Sequence, residues 1–130
     1  HGVGSFDHYA AAPRAIITSL KQETGRIVVD ADVEMLVQEQ RSYKTVRQRL
    51  KRETLRGLYL IRPDSRYIVL DAGGSVIQAS AAKMDEDGHL VAALPKHLPR
   101  GQYTFLVAIY PDGNSVNPAV RIISFEATGS

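Results

Sequence analysis

Residues 27–38 read IVVDADVEMLVQ, and this stretch decides the fold class because its odd positions are apolar throughout. The polar side chains fall on even positions, namely Asp30, Asp32, Glu34 and Gln38. Side chains of a β-strand point alternately to opposite faces, so the pattern is typical of a strand with one buried face. The sequence therefore predicts Val29, Val33 and Met35 in a hydrophobic core.

Similar short strands are predicted on both sides of this stretch. Residues 14–20 (RAIITSL) precede it and are joined to it by a polar turn near Gly25, which indicates a hairpin. A second hairpin is predicted where residues 67–70 and 76–79 flank the turn 71–74, because glycine supplies the positive φ that a tight turn requires. Further strands are predicted at residues 89–94, 102–110 and 120–126.

About seven short strands separated by turns rich in glycine, proline and aspartate indicate a mainly β chain. The predicted fold is an antiparallel immunoglobulin-like sandwich, with Tyr103, Phe105 and Val107 on the core face of the strand 102–110. We expect one domain over residues 14–127, with an N-terminal extension (1–13) and a short tail (128–130).

Chain length and composition are compatible with one independently folding domain. The chain has 130 residues, which is enough to bury roughly two-thirds of the surface of the unfolded chain. No apolar run approaches the ~20 residues of a membrane-spanning helix, so no membrane span is expected. Cysteine is absent, which excludes disulfides and thiolate metal sites.

The segment 41–56 stands apart because of its charge. Its seven basic residues and one acid give it a charge of +6, although the whole chain carries only +2, so the remainder is at −4. Spacing of Tyr43, Val46 and Leu50 favours a short helical insertion with a basic outer side, but a strand fits the same residues. The basic side chains Arg47, Arg49 and Arg52 are the candidates for anion binding.

The last third of the chain resembles a known family. The stretches LPRGQYTF (98–105), YPDGN (110–114) and IISF (122–125) are similar to the closing strands of periplasmic copper-resistance proteins of the CopC type and of related immunoglobulin-like exported domains. This resemblance implies a periplasmic or secreted β-sandwich. Because residue 1 is histidine rather than methionine, an exported and processed chain is also expected.

The same family begins its mature chain with histidine, and so does this chain. The resemblance implies a Cu(II) site at His1, whose amine and imidazole nitrogens suit copper. The family's further histidine is replaced here by Asn114, so His8 and Asp112 are the candidates for the remaining donor. The alternative that His1 is a remainder of processing or cloning stays open.

Other candidate sites have ordinary structural explanations. His89 and His97 are expected at the surface near turns. The acidic turn 85–88 resembles the start of a calcium loop, but Lys96 occupies the position of the closing glutamate. No nucleophile elbow, HExxH or P-loop pattern occurs, so no catalytic residue is assigned.

These observations predict an exported, non-catalytic binding module that engages a protein partner or a metal ion, with copper at His1 as the metal. The first alternative is a binder of nucleic acid or of an anionic surface through the basic segment, although nucleic acid is not the favoured partner. A copper-dependent oxidative enzyme is the second alternative. The sequence indicates no other cofactor.

Overall fold

The computed structural model describes residues 13–56, 59–112 and 117–129, and this part of the chain is built of antiparallel strands. In chain order the strands are β1 (Arg14–Glu23), β2 (Arg26–Glu39), β3 (Ser42–Arg49), β4 (Thr54–Arg56), β5 (Tyr59–Ile61), β6 (Asp64–Leu70), β7 (Val76–Ala81), β8 (Lys83–Met84), β9 (Leu90–Ala93), β10 (Gly101–Tyr110) and β11 (Ala119–Ala127). None of the described segments forms a helix long and apolar enough to cross a lipid bilayer.

Two main sheets account for most of the described chain. One has five strands in the order β1-β2-β9-β8, with β3 paired to the second half of β2. The other has four strands in the order β11-β10-β6-β7, and β4 and β5 form a separate hairpin. The prediction of a mainly β, antiparallel chain is confirmed. Nine strands rather than about seven form the two sheets, because β3 and the very short β8 were not predicted as strands.

The buried side chains of the two sheets form a single hydrophobic cluster. In β10, and in β2 from Ile27 to Met35, every second side chain is buried, as the alternating sequence predicts. The predicted core residues are all buried: Val29, Val33, Met35, Tyr103, Phe105 and Val107. Each such side chain contributes roughly 1.5–3 kcal/mol when removed from water, so this cluster is the main source of stability.

Hydrogen bonds from two tyrosine hydroxyls connect the two sheets and attach β10 to the loop before it. Tyr67 of β6 donates to the carbonyl oxygen of Ala93 in the opposite sheet at 2.6 Å, and Gln78 donates to the Tyr67 hydroxyl at 2.9 Å. Burial raises the pKa of the Tyr67 phenol above its ordinary value, so the hydroxyl keeps its proton and remains a donor. Tyr103, near the start of β10, donates to the carbonyl oxygen of Pro99 at 2.6 Å.

The expectation of a helix in segment 41–56 is wrong. Residues 42–49 form β3, which pairs antiparallel with the second half of β2. The pairing brings Arg47 within 2.8 Å of Asp32 and Arg49 within 2.9 Å of Asp30. A solvated basic helix would leave these arginines without their acidic partners. The strand also delivers Leu50, which directly follows it, to the core, where it is fully buried.

The predicted turns at 71–74 and 85–88 are both present. In each turn the first aspartate accepts two backbone N–H groups through one carboxylate oxygen, from residues 73 and 75 at Asp71 and from residues 87 and 89 at Asp85. Gly74 and Gly88 both have a φ of 87°, which favours glycine. Half of the predicted turn at 111–114, namely residues 113 and 114, lies outside the described residues.

Candidate functional site

The outer side of the four-stranded sheet carries apolar side chains where water would be expected to favour polar ones. In β10 the buried residues are at odd positions, so Thr104, Leu106 and Ala108 point outward. Cross-strand pairing places three rows of four residues on this side. The rows are Ser124, Thr104, Leu70 and Val76; Ile122, Leu106, Ile68 and Ala79; and Val120, Ala108, Arg66 and Ala81. We refer to these three rows as the apolar face.

Several large side chains of the apolar face are open to solvent. Ile122 is 60% exposed, Val76 58% and Val120 49%. Arg66 is the one charged residue among the twelve of the three rows. With strands about 4.8 Å apart and rows about 6.7 Å apart, the face covers roughly 300–400 Å². Because three of the twelve positions are Ser124, Thr104 and Arg66, the apolar area is close to the lower limit for the largest apolar patch of a typical monomer, which is often functional.

A charged cluster occupies the outer side of the other sheet and consists of Asp30, His89 and Arg49. Nδ1 of His89 lies 2.5 Å from Oδ1 of Asp30, and a guanidinium nitrogen of Arg49 lies 2.9 Å from the same oxygen. Arg49 also donates from Nε to the carbonyl oxygen of Asp87 at 3.1 Å. The cluster therefore joins β2, β3 and the turn 85–88.

The carboxylate of Asp30 fixes the proton arrangement of the cluster. A carboxylate can only accept, so the Nδ1 proton of His89 is assigned to the bond with Asp30. Nδ1 cannot then also accept from Arg49, although the two nitrogens lie 2.9 Å apart. Arg49 donates to Asp30 and Asp87 instead. This arrangement leaves Nε2 as the free ring nitrogen of His89.

Opposing effects determine the ionisation of Asp30. Burial by itself would raise the pKa of this carboxyl, but the hydrogen bond from His89 and the charge of Arg49 outweigh it, so the pKa lies below the ordinary value. The ionised form is therefore stabilised by folding. This contribution is fully present above the unfolded pKa of about 3.9 and is lost as the pH falls through the lower folded pKa.

We expect Asp30→Asn to lower the free energy of unfolding by about 1 kcal/mol at pH 7, because the partly exposed pairs with His89 and Arg49 lose their charge. The deficit should shrink as the pH falls below the unfolded pKa of about 3.9 and through the lower folded pKa, where Asp30 of the folded wild type also becomes neutral. Urea unfolding at a series of pH values measures it. Asp64→Asn, at a carboxylate 4.0 Å from Arg66, is the matched control and should show little deficit. A deficit of Asp30→Asn that does not change with pH would contradict this account.

Concave regions of the described part of the chain include a cavity and a cleft. A cavity of about 230 Å³ adjoins the charged cluster, and both acidic and basic side chains line it, including Lys21, Glu23 and His89. A cleft of about 460 Å³ lies between the β1–β2 turn, the loop before β10 and the end of β11, with Leu94, Leu98 and Phe125 in its lining. Neither contains a set of groups arranged for a recognisable reaction.

The predicted site residues are distributed over separate parts of the molecule. Arg47 and Arg49 lie on β3 and pair with aspartates of β2, whereas Arg52 follows β3 and donates to the carbonyl oxygen of Met84 at 3.1 Å. Asp112 is half-buried just after β10. His1 and His8 lie outside the described residues, so the copper ligand set stays a prediction. Within the described ranges no three histidine, aspartate or glutamate residues are placed to hold a metal ion.

Sequence reasoning missed the apolar face and the charged cluster for different reasons. The apolar face had a signal, because Leu106 and Ala108 interrupt the polar side of an otherwise alternating strand. His89 was expected at the surface and is instead half-buried against Asp30, 59 residues earlier in the chain. No local pattern reveals such a distant pairing.

Comparisons with known proteins identify no relative of this chain. No protein-family model matches it, and no curated protein and no solved structure matches it either. The function must therefore be argued from the apolar face and the charged cluster themselves.

Proposed function

We propose that this chain is a non-catalytic binding domain with an immunoglobulin-like sandwich fold, and that it engages a protein partner through the apolar face. The observation that carries the proposal is the exposure of Ile122, Val76 and Val120 within three rows that contain one charge. Leaving such a patch in water is unfavourable, and large exposed apolar patches commonly mark interaction sites.

The strand order supports an immunoglobulin-like fold. The order β1-β2-β9-β8 corresponds to the A-B-E-D sheet of that fold, and β11-β10-β6-β7 corresponds to G-F-C-C′. In this correspondence β3, β4 and β5 are an insertion between strands B and C. The hydroxyl of Tyr103, bonded to the backbone of Pro99 four residues earlier, matches the tyrosine corner at the start of strand F.

The shape of the apolar face favours a protein over a small molecule. Small-molecule sites are concave and enclose most of the ligand, whereas the face is the outer surface of a sheet. Its area of roughly 300–400 Å² is about half of the ~800 Å² that each partner contributes to a stable specific complex. We therefore expect either a transient complex or an interface that extends beyond the three rows.

The charge pattern disfavours nucleic acid as the partner. Arg47 and Arg49, two of the three predicted anion-binding residues, lie 2.8 Å and 2.9 Å from carboxylate oxygens of Asp32 and Asp30, whereas Arg52 donates to a backbone carbonyl. A phosphate at either arginine would have to compete with its aspartate and would be repelled by it. Two arginines of the basic segment thus compensate acidic side chains of the neighbouring strand.

Export and copper binding remain part of the proposal as predictions. Both rest on the family resemblance. A copper titration of the chain with a free His1, against one carrying an extra residue before it, tests copper binding separately from the apolar face. Equal copper binding by both forms, or no binding by either, would contradict the copper site at His1.

The proposal is tested by protein capture from an extract of cells that naturally produce this chain. Immobilised wild type is compared with Ile122→Lys, which places a charge at the β11 end of the middle row of the apolar face, and with Thr18→Lys, which introduces the same side chain on β1 of the other sheet. A lysine buried without a partner should weaken the complex at least tenfold. Wild type and Thr18→Lys should therefore retain the same protein, and Ile122→Lys should lose it.

Melting curves of both variants show whether each is folded before capture is compared. Equal retention by Ile122→Lys and Thr18→Lys would overturn the apolar face as the binding surface. Absence of any retained protein would overturn the proposal of a protein partner. Retention that disappears after nuclease treatment would instead support the nucleic-acid alternative.

A further inference from the structure

Strand β7 forms one edge of the four-stranded sheet and pairs only with β6 in the described residues. The backbone N–H of Ala82 donates to the carbonyl oxygen of Ser65 at 3.3 Å. Backbone groups of an antiparallel strand point alternately toward and away from the neighbour. Continuing the β6–β7 register, the N–H and C=O groups of Ala79 and Ala81 therefore point away from β6, toward the open edge.

From Gln78 onward, this edge lacks the features that normally prevent pairing with another chain. Exposed edges are usually protected by charged side chains, proline or bulges. Strand β7 reads VIQASA and contains neither charge nor proline. A bulge falls between Val76 and Gln78, so the following residues keep regular pairing. By contrast, the other outer strands of the two main sheets carry charges, for example Arg121 in β11, Lys21 in β1, Arg47 in β3 and Lys83 in β8.

We infer that β7 pairs antiparallel with β7 of a second copy of this chain, which joins two four-stranded sheets into one of eight strands. A register centred on Ser80 places Ala79 of one copy opposite Ala81 of the other, with about four N–H to O=C bonds between them. A two-fold axis closes this arrangement and leaves neither β7 edge open. The small, uncharged side chains oppose no like charges.

The same pairing enlarges the apolar face. This consequence of the pairing rests on the proposed function. Ala79 and Ala81 end two rows of the apolar face, so the rows of the two copies become continuous across the new strand pair. The doubled face covers roughly 600–800 Å², which approaches the area that one partner contributes to a stable complex.

The dimer is expected to be weak. Six residues of strand span about 20 Å, and a contact of that length buries less than the ~1,200–2,000 Å² of standard interfaces. Association should therefore depend on concentration, with monomer at about 10 μM and dimer in the range of hundreds of micromolar.

Sedimentation equilibrium of the purified chain between 10 μM and 1 mM tests the inference. Ala79→Pro removes an N–H that points to the open edge and leaves the bonds to β6 in place, so it should abolish the dimer. Ala79→Lys, which adds a protecting charge, is a second variant with the same expected result. Ser124→Lys is the matched control because it makes the same kind of change on the same side of the sheet at the opposite edge, and it should dimerise like the wild type.

A wild type that remains monomeric at 1 mM would overturn the inference, and so would a dimer that persists in folded Ala79→Pro and Ala79→Lys. Either result leaves the proposed function intact if protein capture still depends on Ile122, because the partner is then a different protein. If instead the wild type dimerises and capture shows no dependence on Ile122, the proposed function fails and the β7 dimer stands.

Discussion

Phe105→Ala is expected to lower the free energy of unfolding by about 3–5 kcal/mol. Phe105 has no exposed surface and lies at the middle of β10, between β6 and β11. Its ring centre is 5.7 Å from that of Tyr67. Removing the ring therefore opens a cavity in the core that both sheets share, and neighbouring strands can close it only in part.

Urea unfolding followed by circular dichroism measures this loss. Leu106→Ala is the matched control, because Leu106 is the next residue of the same strand and its side chain lies half-buried on the apolar face. We expect it to cost under about 1.5 kcal/mol, since little cavity forms. Equal losses in the two variants would contradict the assignment of core and outer sides of β10. A spectrum dominated by helix would contradict the fold.

Gly88→Ala is expected to cost about 2–5 kcal/mol, for two reasons that can be separated. The φ of 87° at Gly88 penalises any L side chain by about 1–2 kcal/mol. In addition, a Cβ at this position would lie 2.8 Å from the carbonyl oxygen of Leu50, closer than such atoms approach, so the turn or β3 must shift. Forced shifts of this kind cost about 1–3 kcal/mol more.

Gly74→Ala isolates the first of these two costs. Gly74 has the same φ of 87°, but a Cβ there would meet nothing within 4 Å. Its substitution should therefore cost only about 1–2 kcal/mol. The same urea unfolding measures both variants. Equal losses at Gly88 and Gly74 would show that the turn 85–88 does not lie tightly against Leu50.

Strands with one buried face could be predicted from the sequence alone. In β2 and β10 the alternation of apolar side chains is local and regular, so both the strands and their core residues were predicted correctly. The turns at 71–74 and 85–88 were also readable, because aspartate and glycine encode their geometry within four residues.

The basic segment could not be assigned from local pattern. Val46 and Leu50 are spaced so that they share a face in either a helix or a strand. What decides between the two lies elsewhere in the chain, in the carboxylates of Asp30 and Asp32 that pair with Arg49 and Arg47. Such pairing depends on tertiary structure, which overrides local preference.

The apolar face was missed because each strand was assigned a single apolar side. Leu106 and Ile122 point outward from β10 and β11. Their cross-strand neighbours can be identified only when the order of the strands is known. A face of this kind is a property of four strands together. The position of β7 at the sheet edge is likewise a result of topology. The absence of charge and proline in VIQASA indicates a pairing surface only because β7 lies at that edge.

Site-specific photo-crosslinking tests the central claim, a protein partner on the apolar face, most directly. A benzophenone amino acid is placed at position 122 in one variant and at position 18 in another, and both are irradiated in cells that naturally produce the chain. We predict that the variant with the probe at position 122 forms a discrete covalent adduct with a protein, and that the variant with the probe at position 18 forms none. An adduct of twice the chain mass would identify the partner as a second copy of this chain. Equal adducts from the two positions, or none from position 122, would contradict this claim.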